Sequence, residues 1–151
     1  MQNLDTDLNR ILLATDFGRR SSGAENHAVK LAETFDSRLL LVHAIEPIGD
    51  LDDEEEQSGE IREFYDRLEE QAERQMRERS ATYDEQGIVS EHHIDIGYRW
   101  RVILDLAEEH QVDLVVLGRR SYSDRETISL GTTSQKVYFA CNRPVLLVPE
   151  A

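Results

Sequence analysis

The residues of this chain whose types and spacing best suit chemistry are Gly118-Arg119-Arg120-Ser121 and, after nine further residues, Gly131-Thr132-Thr133. The chemistry is phosphate binding. The run Val112-Asp113-Leu114-Val115-Val116-Leu117 precedes them and is too apolar to face water on either side. It predicts a buried strand over 112–117 with Gly118 at its carboxyl end. A glycine there lets backbone approach a ligand closely, and a second glycine before a helix leaves the first helical N–H groups available to an anion. The hydroxyls of Thr132 and Thr133 add donors at that helix start. Glycines at strand and helix ends also serve plain turns, so the pattern takes its meaning from the elements around it.

Other reactive side chains point less clearly to a site. His43 lies inside an apolar strand and reads as a packed, hydrogen-bonded side chain. His92 and His93 are adjacent, and neighbours on a strand face opposite ways, so no shared metal site is expected. The acidic run 52–56 lacks the spaced ligands and turn glycine of a cation loop and reads as solvated. No Ser-His-Asp set or carboxylate pair has a spacing that argues for hydrolysis. No lysine follows Gly131 as it would in a P-loop, so fast ATP turnover is not expected.

The elements that must position these residues alternate strictly. Residues 10–15 form a short apolar run ending at Asp16, and a helix follows, with Ser21 or Ser22 as its cap and Ala24, Ala28, Leu31, Ala32 and Phe35 on one face. A second strand over 38–45 closes at Pro47, and a mobile loop is expected over 48–60. A long helix over 60–86, with Ile61, Phe64, Tyr65, Leu68, Ala72 and Met76 on one face, ends at Gly87. The more polar strand over 89–96 suits a sheet edge. A helix with Trp100, Val102, Ile103, Leu106 and Ala107 facing inward leads to the strand before Gly118. After Gly131 a helix carries Val137, Tyr138 and Cys141, and a last strand covers 144–148. Five buried strands alternating with amphipathic helices require a parallel sheet covered on both faces, a doubly wound α/β fold. Ligands of such sheets sit beyond the carboxyl strand ends where the winding reverses, which draws attention to Asp16 and Gly118.

At 151 residues the chain is expected to form one domain over 1–151, large enough to bury roughly 70% of its unfolded surface. A formal net charge of −14 argues against nucleic-acid binding, which needs a basic surface, so any phosphate must be met locally. Lys30 and Lys136 are the only lysines, and the excess of acidic side chains resembles proteins kept soluble in high salt. The lone cysteine, Cys141, excludes an internal disulfide and fits a reducing cytoplasm. No window approaches the ~20 apolar residues of a membrane span, and residues 1–7 carry no export signal, so a cytoplasmic rather than an integral membrane protein is expected.

Thr15-Asp16-Phe17, Leu41-Val42-His43-Ala44, Asp113-Leu114-Val115-Val116-Leu117-Gly118 and Asn142-Arg143-Pro144-Val145-Leu146-Leu147-Val148, in that order, resemble the universal stress protein family along the whole chain. The resemblance implies a Rossmann-like, adenine nucleotide alpha hydrolase-like fold. Its ATP-binding subset is marked by Gly-x2-Gly-x9-Gly-Ser/Thr, and here the spacing is kept while Ser121 replaces the second glycine. Carried over, the resemblance implies that Asp16 accepts hydrogen bonds from the ribose or adenosine and that the Ala44 backbone reads the adenine edge. Gly118 and Ser121 would lie along the ribose and first phosphates, while Gly131, Thr132 and Thr133 hold the outer ones. Arg119 or Arg120 would screen phosphate charge. Mg2+ would accompany ATP through phosphate oxygens and water. The resemblance also implies a homodimer through the last strand, Val145, Leu146, Leu147 and Val148. The function expected is a dimeric ATP-binding module of the stress response. The alternatives are a dimeric interaction protein of the same fold without nucleotide, or an enzyme, either a slow ATPase or one that phosphorylates itself at a serine or threonine between Ser121 and Ser134.

Overall fold

The computed structural model describes residues 7–119 and 131–150. Five strands, β1 (Arg10–Ala14), β2 (Arg38–Ile45), β3 (Ser90–Ile96), β4 (Leu114–Arg119) and β5 (Val145–Pro149), form one parallel sheet in the order β3-β2-β1-β4-β5. The helices are α1 (Arg19–Phe35), α2 (Asp53–Glu56), α3 (Gly59–Glu85), α4 (Arg99–Glu109) and α5 (Thr132–Ala140). The winding reverses between the neighbouring strands β1 and β4, as the doubly wound reading requires.

Alternate residues of each central strand enter separate cores, which is why the strands read as continuous apolar runs. Ile11, Leu13, Leu39, Leu41 and Val116 pack against Ala24 and Ala28 of α1 and Met76 and Tyr83 of α3. On the other face Leu12, Leu40, Val42, Val115 and Leu117 meet Val102, Ile103 and Leu106 of α4 and Val137 of α5. Among the described residues no helix is long and apolar enough to cross a membrane.

Several local expectations need correction. Ser21 and Ser22 do not cap α1: Gly18 is the N-cap, and Ser21 is buried within the first turn, bonded to the preceding loop. Phe35, at the last turn of α1, stands 57% exposed, beyond the reach of the sheet. The acidic stretch is a helical turn rather than a loop. Asp52 accepts from the Glu55 N–H at 2.8 Å while the Glu55 side chain accepts from the Asp52 N–H at 3.2 Å, a reciprocal cap. Carboxylates at a helix start are also favoured by the peptide dipoles. On α3, Ala72 and Met76 are buried as expected, Tyr83 joins them, and Phe64 is exposed because α3 starts beyond the sheet's cover. Tyr138 is exposed on α5. Val112 precedes its strand, and Gly118 lies one residue inside the end of β4.

Gly118 has a steric reason to be glycine. A Cβ there would sit 2.0 Å from the carbonyl oxygen of Arg20, so the first turn of α1 presses directly on the end of β4. His43 behaves as a packed side chain: its ring lies 4.5 Å from that of Phe17, and Nδ1–H donates to the Thr15 carbonyl at 2.8 Å. Burial lowers its pKa below the ordinary 6.5, reinforced by Arg99 and opposed by the Thr15 bond and by Asp16.

Gly118→Ala should therefore cost about 3 kcal/mol in urea denaturation, because backbone rather than a rotatable side chain has to move. The neutral form of His43 is the native one, so the unfolded chain takes up the proton first and stability falls as the pH drops below 6.5. In the His43→Gln variant the urea midpoint should fall less steeply between about pH 7 and pH 5 than in the wild type.

Candidate functional site

The turn from β1 into α1 is built around one hydroxyl. Ser21 Oγ donates to Asp16 Oδ1 at 2.5 Å and accepts from the Asp16 N–H at 3.2 Å and from Thr15 Oγ1 at 3.3 Å. The Gly18 N–H also donates to Asp16 Oδ1, at 2.8 Å. Burial alone would raise the Asp16 pKa. The bonds from Ser21 and Gly18 and the charge of Arg99 outweigh it and hold the carboxyl below the usual range. Both side-chain bonds use Oδ1, so Oδ2 takes part in neither. The next residue, Phe17, has φ of +63°, and its ring is fixed by His43 on one flank and by the Arg79 guanidinium 4.9 Å from its centroid. Arg79 is held by Glu25 at 3.3 Å, which also accepts from the Tyr83 hydroxyl at 2.6 Å.

Beside this turn β2 runs further than β1. The Val42 carbonyl accepts from the Thr15 N–H at 2.9 Å, so by the alternation of a parallel ladder the Ala44 N–H and C=O point the same way, past the end of β1. Across the reversal, Gly118 and Arg119 end β4. Gly131, with φ of +83°, then starts α5, and Ser134 Oγ of its first turn donates to the Gly118 carbonyl at 3.4 Å. Among the described residues nothing would clash with a Cβ on Gly131, and its positive φ is what favours glycine there.

These ends enclose a cavity of about 340 Å³. Of the residues singled out in the sequence, Asp16, Ala44, Gly118, Gly131, Thr132 and Thr133 all line it. Arg120 and Ser121 lie outside the described residues. Sequence reasoning missed Thr15, Ser21, Arg20, Glu46 and Arg99, which line it too. Arg99 had a legible signal, since it follows the carboxyl end of a parallel strand, where ligands of such sheets gather. It approaches Glu46 at 3.7 Å. Among the described lining residues three arginines, Arg20, Arg99 and Arg119, face two carboxylates, Asp16 and Glu46, in a chain of net charge −14. Hydroxyls, arginines and a helix start around one crevice can hold a phosphorylated ligand, and an open strand edge can read a flat polar ring.

A universal stress protein of Thermus aquaticus, encoded in the 3′ region of a QAH/OAS sulfhydrylase, is 33% identical over 139 residues, covering 91% of this chain and 96% of that protein. The universal stress protein UspA from Lactobacillus plantarum has a similar structure, with a TM-score of 0.81 at 20% identity over 93% of this chain and 97% of that one. The universal stress protein from Archaeoglobus fulgidus in complex with dAMP gives a TM-score of 0.62 at 17% identity, over 93% and 97% of the two chains. The universal stress protein family model matches residues 8–149, from before β1 to the end of β5, and so takes in every strand that shapes the crevice: this chain belongs to the universal stress protein family.

Proposed function

We propose that this protein binds ATP, with Mg2+ on the phosphates, in the crevice at the carboxyl ends of β1, β2 and β4, and works as a cytoplasmic homodimeric binding module of the stress response. The observation that carries the reading is the concentration of arginine in one place. Arg20, Arg99 and Arg119 meet around a cavity whose rim also holds the first turn of α5, on a surface that is otherwise strongly anionic. The base would lie toward the open edge of β2, where the Ala44 N–H and C=O are the donor and acceptor that an adenine edge needs. Asp16 Oδ2 would accept from the ribose. Thr132, Thr133 and the amides that begin α5 would take the outer phosphates, with Arg119 beside them. The relative from Archaeoglobus fulgidus in complex with dAMP supports an adenine nucleotide as ligand.

The dimer reading draws on β5. It is the edge strand beyond β4; Val145, Leu146 and Leu147 are partly exposed there, Val148 is buried, and Tyr138 and Phe139 of the neighbouring α5 are 57% and 74% exposed. An apolar edge of this kind invites a second strand.

Isothermal titration with Mg2+ and ATP, ADP or GTP tests the nucleotide reading. ATP should bind, and Asp16→Asn should weaken it about tenfold by replacing a charged acceptor with a neutral one. A flat titration at high protein concentration would sink it. For the dimer, sedimentation equilibrium should give twice the chain mass, and Leu146→Lys should give monomer with unchanged secondary structure. A wild-type monomer at high concentration would rule the dimer out.

A further inference from the structure

We infer that Glu91, His93 and His110 form a second site, for a zinc-like divalent metal ion, between the sheet edge and the end of α4. Glu91 and His93 are two apart on β3 and so share its α4-facing side, while His92 points to the opposite face and pairs with Glu73 at 2.9 Å. His110 is the C-cap of α4 and comes over the same side of the strand. Glu91 Oε1 lies 3.4 Å from His110 Nδ1, and the His93 and His110 ring centroids are 4.8 Å apart. One ligand atom from each of the three lies within 4.8 Å of the others. Tetrahedral zinc with bonds of 2.0–2.1 Å needs ligand atoms about 3.4 Å apart, a contraction that rotations of the Glu91 and His93 side chains can supply.

Nδ1, 3.4 Å from Glu91 Oε1, is the His110 nitrogen placed to meet the ion, and among the described residues the buried Nε2 has no hydrogen-bond partner that would hold the ring against a small rotation. Two imidazoles with one carboxylate suit zinc and its neighbours rather than calcium or magnesium, which prefer all-oxygen shells. The net charge of −14 concentrates cations at the surface. Arg99 opens α4 at the nucleotide crevice and His110 closes it, so the metal site lies at the other end of the helix and does not depend on nucleotide binding. Three protein ligands leave a fourth position for water, and the bound ion ties edge strand β3 to α4.

Chelator-treated protein titrated with ZnCl2 should take up one ion per chain by calorimetry, and Co2+ in place of zinc should give the visible absorption of a four-coordinate ion. Zinc at about 100 times its dissociation constant should raise the melting midpoint by roughly 5–10 °C. His93→Gln and His110→Gln, each checked for native circular dichroism, should weaken binding by about 100-fold or more. His92→Gln should bind as the wild type does. Absence of stoichiometric zinc uptake would overturn the site, as would uptake unchanged in both the His93 and His110 variants or lost in the His92 variant.

Discussion

The close approach of α1 to the end of β4 is the constraint on which the rest of the structure depends. With no Cβ on Gly118, the Arg20 carbonyl can lie against the strand, and the β1–α1 turn and the start of α5 then face each other across the point where the winding reverses. A methyl group there would force α1 outward and carry with it Ser21, whose hydroxyl organises Thr15 and Asp16. The glycine expected from the sequence to admit a ligand lines the crevice and also admits a helix, and the crevice follows from how closely the two elements pack.

Asp16 is set by a chain of contacts that reaches well away from the crevice. The left-handed backbone of Phe17 is a strained conformation for a bulky residue and persists only where its surroundings over-determine it. His43 from β2 and Arg79 from α3 supply that constraint. Arg79 in turn depends on Glu25, whose second oxygen takes the Tyr83 hydroxyl. Burial and the Glu25 bond push the Tyr83 pKa far above its ordinary value, so that phenol stays a donor throughout the working pH range. The turn carrying the carboxylate is thus tied to both helices on that face of the sheet, α1 through Glu25 and α3 through Arg79 and Tyr83.

What the sequence made legible follows from the range of the forces involved. Strand β2 is bounded by residues 38–45 in both readings, because a continuous apolar run closed by Pro47 has no helical alternative of that length. Gly131 at the start of α5 and Gly87 after α3 were readable from local backbone demands. Ser21 was misread because a serine near a helix start serves equally as a cap or as an anchor for the preceding loop, and only the path of that loop decides. The turn over Asp53–Glu56 is written in the Asp52 to Glu55 spacing of a reciprocal cap, which offsets the repulsion among its like charges. The convergence of Arg20, Arg99 and Arg119 on one crevice and the meeting of His93 with His110 were out of reach in a different way. Residues far apart along the chain meet there only because the strands order as β3-β2-β1-β4-β5.

That order also gives the sheet two unlike margins. At β3 five of the seven side chains, Ser90, Glu91, His92, His93 and Asp95, are polar beside Ile94 and Ile96, and Arg77 and Glu73 of α3 crowd one face, so a second strand would have to dehydrate charge to pair there. At β5 the corresponding residues are Val145, Leu146, Leu147 and Val148, flanked by exposed aromatic rings of α5. Covering a margin costs least desolvation where it is apolar, and of the two that margin is β5. Polar side chains at β3 and apolar ones at β5 therefore make the side of the sheet away from the histidines the less costly one to cover.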